Sequence, residues 1–301
     1  MAKSLLLKAF AAAFAVAMLF GCATVPADAI RVGTYNIRLS APTVEKADGA
    51  NYWSHRKADM VELVRKMDLD VFGLQEVCPD QAQYLREQLT EFEFVGEHRN
   101  ADRVTGEASP VCYRRSRFDE LKKGTFWLSE TPDTPGLKGW GAACPRVCSY
   151  LVLREKTSGR VFCFANCHTD HISELAREKG MLLIIERMKD FGAGSPIVFT
   201  GDHNCRYDDA PAKAVRQVLK DARDVTETPV AGPRNTFQGF GKFKDGPVDE
   251  NGKRYKDCCI DYIYVSDGTR VLDFATHDDR RPGTDLYPSD HYPVTATVVL
   301  P

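Results

Sequence analysis

No two cysteines in this chain stand three residues apart, which argues against the paired CxxC ligand sets of zinc ribbons and fingers. The ten cysteines include Cys144 with Cys148 and Cys163 with Cys167, both spaced CxxxC. Some disulfides beside buried thiols are expected if the chain is exported. There is no excess of positive charge either. With 40 Lys and Arg against 42 Asp and Glu, the chain does not look like a duplex binder that works by charge alone. A local basic groove stays open, since "YRRSRF" (113–118) clusters three arginines. After residue 29 there is no low-complexity run, no long linker and no short-period repeat, which excludes a string of small modules.

The start differs from the rest. "MAKSLLLKAFAAAFAVAMLFGC" has Lys3 and Lys8, a long apolar run and no acid, and residues 1–21 read as a secretory signal segment. "LFGC" (19–22) resembles a bacterial lipoprotein box, with Cys22 as the lipidated first residue and 22–29 as a short tether. A cut after "ADA" (27–29) is the competing reading, and a retained membrane helix the third. Removal of residues 1–21 takes the formal charge from −2 to −4. The expected location is the periplasm or outer membrane of a bacterium, with membrane contact only through a lipid on Cys22.

One α/β domain over residues 30–301 is predicted. "IRVGTYNIRLS" opens it as a strand, and a helix is expected over Trp53 to Met67. "LDVFGLQEV" is a second strand, a helix follows near Gln81 to Leu89, and "FEFVGEH" is a third strand. "SPVCYRRSRF" and "GTFWLS" read as neighbouring strands. "VCSYLVLREKTSGRVFCFANCHTDH" is a hairpin turning at "KTSG". Ser173 is placed to cap a helix running to Phe191, with Leu175, Leu182, Ile185 and Met188 on its buried face. The strand into "GDHN", a helix near Ala212 to Leu219, and the strands "CCIDYIYV" and "YPVTATVVL" complete the pattern. Several strands are apolar on both faces, as doubly covered sheets require.

Polar groups concentrate where the apolar runs stop. The first run ends at Asn36, the second at Glu76. The hairpin's return strand leads to Asn166, His168, Asp170 and His171. The next run ends at Asp202 and Asn204, "IDYIYV" starts at Asp261, and "SDH" (289–291) precedes the final strand. Each alone is an ordinary turn or solvated strand end. Together they supply carboxylates, amides and imidazoles, with no obvious serine or cysteine nucleophile. That inventory suits hydrolysis by metal-activated water.

The ordered set "TYNIR", "LQEV", "NCHTDH", "GDHN", "IDYIYV", "SDH" resembles the endonuclease/exonuclease/phosphatase superfamily over about residues 31–299. "GEASPVCYRRSRF", "GTFWLSETPDTPG" and "GWGAACPR" resemble a bacterial branch of it. The resemblance implies a deoxyribonuclease I-like α/β fold, a four-layer sandwich of two stacked mixed β-sheets flanked by helices. It implies a Mg²⁺ or Mn²⁺ site at Asn36, Glu76 and Asp290, with Glu76 the main ligand. It places Asp202 and Asn204 on the attacking water and phosphoryl oxygens, His168 on the phosphate, and His291 beside its orienting partner Asp261. Oxygen donors favour such hard cations over zinc. Either His291 or Asp202 is the base. The implied substrate is a phosphate ester of a nucleic acid, lipid head group, nucleotide or sugar, a diester slightly preferred over a monoester, and the enzyme is expected to be a monomer.

Arg146 and Glu107 are further candidates, Arg146 to grip phosphate or form a structural ion pair and Glu107 to support the site. Asp170 and His171 are expected either behind the metal site or capping the next helix, Trp127 and Trp140 in the core, and His203 packed on the far side of its strand. Two rival functions are weighed. A zinc hydrolase of another fold is disfavoured because Asn166 stands where its motif needs a histidine. A non-catalytic binding lipoprotein is disfavoured because Asp202, Asn204, Asp290 and His291 are all present.

Overall fold

Runs rich in Val, Ile, Phe and Tyr, the residues that fit a pleated and doubly buried surface, pair into two six-stranded sheets. The computed structural model describes residues 25–243 and 258–301, so Cys22 and the signal segment lie outside the described residues. In the first sheet β1 (Ile30–Asn36) and β2 (Val71–Gln75) run parallel, with Asn36 opposite Gln75. β4 (Val111–Arg114) and β3 (Phe92–Val95) extend it antiparallel on one side. β12 (Val294–Val299) and β11 (Arg270–Thr276) extend it antiparallel on the other.

The second sheet repeats this plan. β5 (Phe118–Trp127), β6 (Val147–Glu155) and β7 (Val161–His168) are antiparallel neighbours, and β7 then runs parallel to β8 (Ile197–Asp202). β10 (Asp261–Val265) and the short β9 (Lys220–Asp221) close it antiparallel. Each sheet therefore has a single parallel pair at its centre. Parallel neighbours end on the same edge, so each centre delivers two carboxyl ends to one rim.

Helices cover the outer faces. α2 (Trp53–Met67) and α3 (Pro79–Gln88) bury Met60, Val64 and Leu85 against Tyr35, Phe72 and Phe94 of the first sheet. α4 (Glu174–Phe191) and α5 (Ala210–Arg216) pack Met181, Ile185 and Val215 on the second. Between the sheets, Val32, Val71, Phe162, Phe164, Val198 and Ile263 share one apolar layer. Two short helices, α1 (Pro42–Asp48) and α6 (Ala222–Val225), finish the set. The result is the expected four-layer sandwich.

α2 has the predicted limits, and Ser173 Oγ accepts the Ala176 N–H at the start of α4 (3.1 Å). The buried stripe of α4 is set differently from expectation. Leu175 is exposed and Leu182 half-buried, while Ala176, Gly180, Met181, Ile184, Ile185 and Met188 face inward. Gly180 lies on that stripe because Leu128 packs directly over it. The runs read as neighbouring strands, now β4 and β5, fall in different sheets. The turn closed by Arg117 N donating to Arg114 O carries the chain from one to the other.

Asn166 is also not a rim residue. Wholly buried, it bridges the sheets: its Nδ2 donates to Leu74 O and Pro110 O, and its Oδ1 accepts from Gln75 Nε2 and Thr200 Oγ1. Gly73 leaves the space for it, since a Cβ there would lie 2.1 Å from Asn166 Oδ1. Cys78, Cys112, Cys144, Cys148, Cys163, Cys167 and Cys205 are free thiols, contrary to the expectation of disulfides among them. Most of them lie on strands or in the core, where they pack as small apolar side chains.

Candidate active site

The carboxyl ends of β1, β2, β7 and β8 meet at one rim, joined by the start of β10 and the turn before β12. Asn36 ends β1, Glu76 follows β2, His168 ends β7 and Asp202 ends β8. In register, His168 faces Asp202 and Asp202 faces Asp261. These side chains with Asn204, Asp290 and His291 surround one cavity of about 530 Å³; Asn36 and Asp261 brace its walls from behind.

Hydrogen bonds tie the two sheets together across this rim. Asn36 Nδ2 donates to Glu76 Oε1 (3.1 Å) and to Asp202 Oδ2 (2.9 Å), while Asn36 Oδ1 accepts from Arg38 N. Glu76 Oε2 accepts from Leu39 N (2.8 Å). Asp202 Oδ1 accepts from Asn204 N (3.0 Å). His291 Nδ1 bonds Asp261 Oδ2 at 2.8 Å, and its Nε2 lies 3.7 Å from Asp202 Oδ2. Arg38, Glu76 and Asn204 all have left-handed backbone, with φ of 60°, 63° and 46°. Such strain costs on the order of 1 kcal/mol or more for a residue with a Cβ and tends to mark functional turns. Here it sets the direction of side chains at the ends of three strands.

Burial divides the protonation states. It opposes charge on His291, but Asp261 and Asp202 outweigh it and push the imidazole up to about 10. Burial, with Asp261 beside it, pushes Asp202 up to about 7. His168 is held well below the usual histidine range by burial and then by Arg146. Asn204 Nδ2 donates to both Thr169 O and His168 Nε2, so the neutral ring carries its proton on Nδ1. That Nδ1 is buried without a hydrogen-bond partner, with the Glu107 carboxylate 3.9 Å away.

Glu76 and Asp290 both line the cavity and are mostly buried. Burial, with Glu76 among the neighbouring charges, pushes the Asp290 carboxyl up. Two acids, both oxygen donors, fit a hard divalent cation, whose charge would relieve that crowding; Asn36, the third expected ligand, stands behind them with its Oδ1 accepting from Arg38 N. The tightest carboxylate–imidazole group at the rim is nevertheless Asp202, Asp261 and His291, whose ligating atoms lie within 4.8 Å of one another.

Of the two parts expected of Arg146, the structure has the ion pair, and the side chain also reaches the cavity. It is 5% exposed and lines the cavity, while its Nε lies 3.6 Å from Asp170 Oδ2. Glu107 pairs with Arg99 (2.7 Å) and lies 3.9 Å from His168 Nδ1. Asp170 caps: its Oδ1 accepts from Ile172 N and Ser173 N. His203 stacks on Tyr262 and Tyr264 behind the strand, and Trp127 is core. Trp140 packs against the core beside α4. Sequence reasoning missed Arg38, Arg99, Lys242 and the aromatic wall of Phe237, Phe240 and Phe243. Phe237 lies 5.0 Å from the His291 ring. The stretch "NTFQGFGKF" (235–243), aromatic and glycine-rich ahead of a strand, was the available signal.

Hydrolysis of phosphate esters is the chemistry this sandwich and its rim define. Residues 33–291 match the Endonuclease/Exonuclease/phosphatase family, and the chain belongs to it. A family protein from Bacteroides thetaiotaomicron superposes with a TM-score of 0.80 at 32% identity, over 91% of this chain and 98% of that one. A mannosyl-6-phosphatase of the same organism gives 0.79 at 32% identity, over 90% and 100%. Nocturnin of Drosophila melanogaster is 28% identical over 322 residues, 90% of this chain and 46% of Nocturnin. The chain thus spans about half the length of that curated relative.

Proposed function

We propose that this hydrolase is dependent on a divalent cation, Mg²⁺ or Mn²⁺, and removes phosphate from a small sugar-like phosphomonoester. The observation that carries the reading is the Asp202–Asp261–His291 group facing Glu76 and Asp290 around one cavity. Glu76 and Asp290 would hold the cation, with Asn36 bracing Glu76 from behind. It would neutralise phosphoryl oxygens and charge developing on the leaving oxygen.

Asp202 is the base. Asn36 and Asn204 fix its two oxygens, and its pKa near 7 suits proton abstraction from water at neutral pH. His291, kept protonated by Asp261, donates to a phosphoryl oxygen, and His168 holds the Asn204 amide in place at the cavity wall. Arg99, Arg146 and Lys242 bring positive charge to the cavity wall, which suits the two charges of a terminal phosphate. The aromatic wall suits a compact leaving group. The resemblance to a mannosyl-6-phosphatase supports the sugar.

We also propose an exported lipoprotein anchored through Cys22. The contacts of Asp28 and Ala29 support this over cleavage after Ala29. Ala29 is buried with its carbonyl bonded to Arg117, and Asp28 pairs with Arg160.

Purified mature protein should release phosphate from hexose 6-phosphates when Mg²⁺ is restored after chelation. Asp202→Asn should lose about 10²–10⁴-fold in kcat. Turnover that survives chelation, or Asp202→Asn with undiminished activity, would overturn the mechanism. Cleavage confined to nucleic acids or lipids would overturn the substrate class.

A further inference from the structure

At the mouth of the same cavity Cys144, Asp170 and His171 stand together, their ligating atoms within 4.8 Å of one another. None of the three is placed on substrate above. Their donors are a thiol, a carboxylate and an imidazole, the mixed S, O and N set that selects zinc and related thiophilic ions rather than Mg²⁺. The two segments that carry them are already stitched together. Ala143 N donates to Asp170 Oδ2 (3.0 Å), and Ser173 Oγ donates to Trp140 O (2.8 Å). Left-handed Trp140 and Gly141 bend the chain just ahead of Cys144. Tetrahedral zinc with bonds of about 2.0–2.3 Å needs donor separations of roughly 3.3–3.8 Å, within reach of side-chain rotation by Cys144 and His171.

A second observation points to a cation at this place. The group now held there is the Arg146 guanidinium, with Nη2 2.9 Å from His171 Nδ1 and Nε 3.6 Å from Asp170 Oδ2. That Nε is buried and has no hydrogen-bond partner, so Asp170 and His171 already draw a cation to this place while holding the guanidinium by one hydrogen bond only.

We propose that Cys144, Asp170 and His171 form a second, inhibitory metal site that takes a thiophilic divalent ion such as zinc in exchange for the Arg146 guanidinium. Binding converts the Cys144 thiol to a thiolate, and its proton leaves to solvent. The ion takes over the His171 nitrogen that Arg146 now holds. Arg146 then loses the brace that points it at the cavity, and phosphate binding weakens. The inhibition rests on the hydrolase reading above, whereas the binding does not. By linkage, a phosphate engaged on Arg146 changes zinc affinity by the same factor that zinc changes phosphate affinity.

Cobalt titration of the full mature chain in saturating Mg²⁺ tests the site without turnover. One thiolate-to-cobalt charge-transfer band per chain is expected, absent from Cys144→Ser. Zinc should inhibit phosphate release in wild type and act at least about tenfold more weakly on Cys144→Ser, whose activity with Mg²⁺ alone is unchanged. The site is overturned if wild type shows no such band, if Cys144→Ser keeps it, or if zinc inhibits both equally. A band without any hydrolysis would uphold the site and fail the hydrolase reading instead.

Discussion

In the proposed mechanism Asp261 touches neither cation nor phosphate, yet it bears on the protonation of both Asp202 and His291. Its carboxylate holds His291 protonated and at the same time raises Asp202 by repulsion. The proposed roles need Asp202 ionised and His291 protonated, so kcat/KM should rise through a pKa at or below about 7 and fall near 10. A bound cation favours ionised Asp202 and moves the rising limb down. Asp261→Asn removes the charge that favours imidazolium, so the falling limb moves toward neutrality. It also removes the charge that opposes ionised Asp202, so the rising limb moves down as well. A pH profile in saturating Mg²⁺ checks this, and an unchanged alkaline limb contradicts it. The rim residues were legible because each ends an apolar run, where a Gly, Asp or Asn signals departure from the sheet. The backbone strain at Glu76 and Arg38 was not legible, since neither residue type advertises a left-handed turn. Nor was the role of Asn166, which sits within a strand and meets its partners only when two sheets stack.

At the scale of an element, α2 shows how a helix reaches into a site it does not line. Its limits follow from apolar periodicity, which would assign Arg56 to solvent. Instead Arg56 is wholly buried, and its guanidinium donates to Asn51 O, Ile37 O, Arg38 O and Pro288 O, with Trp53 below it. One side chain thereby clamps the turn after β1 to the turn that carries Asp290. Arg56→Met strands several buried carbonyls at about 1–3 kcal/mol each, so we expect a Tm lower by about 10 °C or more. At temperatures where the variant is folded, a higher Mg²⁺ concentration should be needed for half-maximal rate. A variant with the wild-type Mg²⁺ requirement would show that the clamp supports folding alone.

For the whole molecule, the buried Ala29 and the Asp28–Arg160 pair place the start of the fold ahead of β1, leaving only a few residues between the domain and Cys22. An anchored chain would hold the start of β1 toward the membrane and the cavity, at the other end of that strand, away from it. Expression of the full chain in a bacterium grown with a radiolabelled fatty acid should label the wild-type protein and leave Cys22→Ser unlabelled. An unlabelled wild type whose mature N-terminus is Ile30 would rule the anchor out. The overall architecture was legible because alternating strands and helices, doubly apolar strands and the family motifs all agree. Which runs share a sheet was not, because β4 and β5 are separated by one turn that reads like a hairpin.

The first sheet is assembled from segments at both ends of the domain, with the second sheet inserted between them, and β12 lies directly against β1. A ribosome makes β1 long before it makes the neighbour that pairs Val298 with Ile30 and brings Asp290 and His291 to the rim. The rim is therefore complete only once the last strand has been made and the two halves of the sheet are joined.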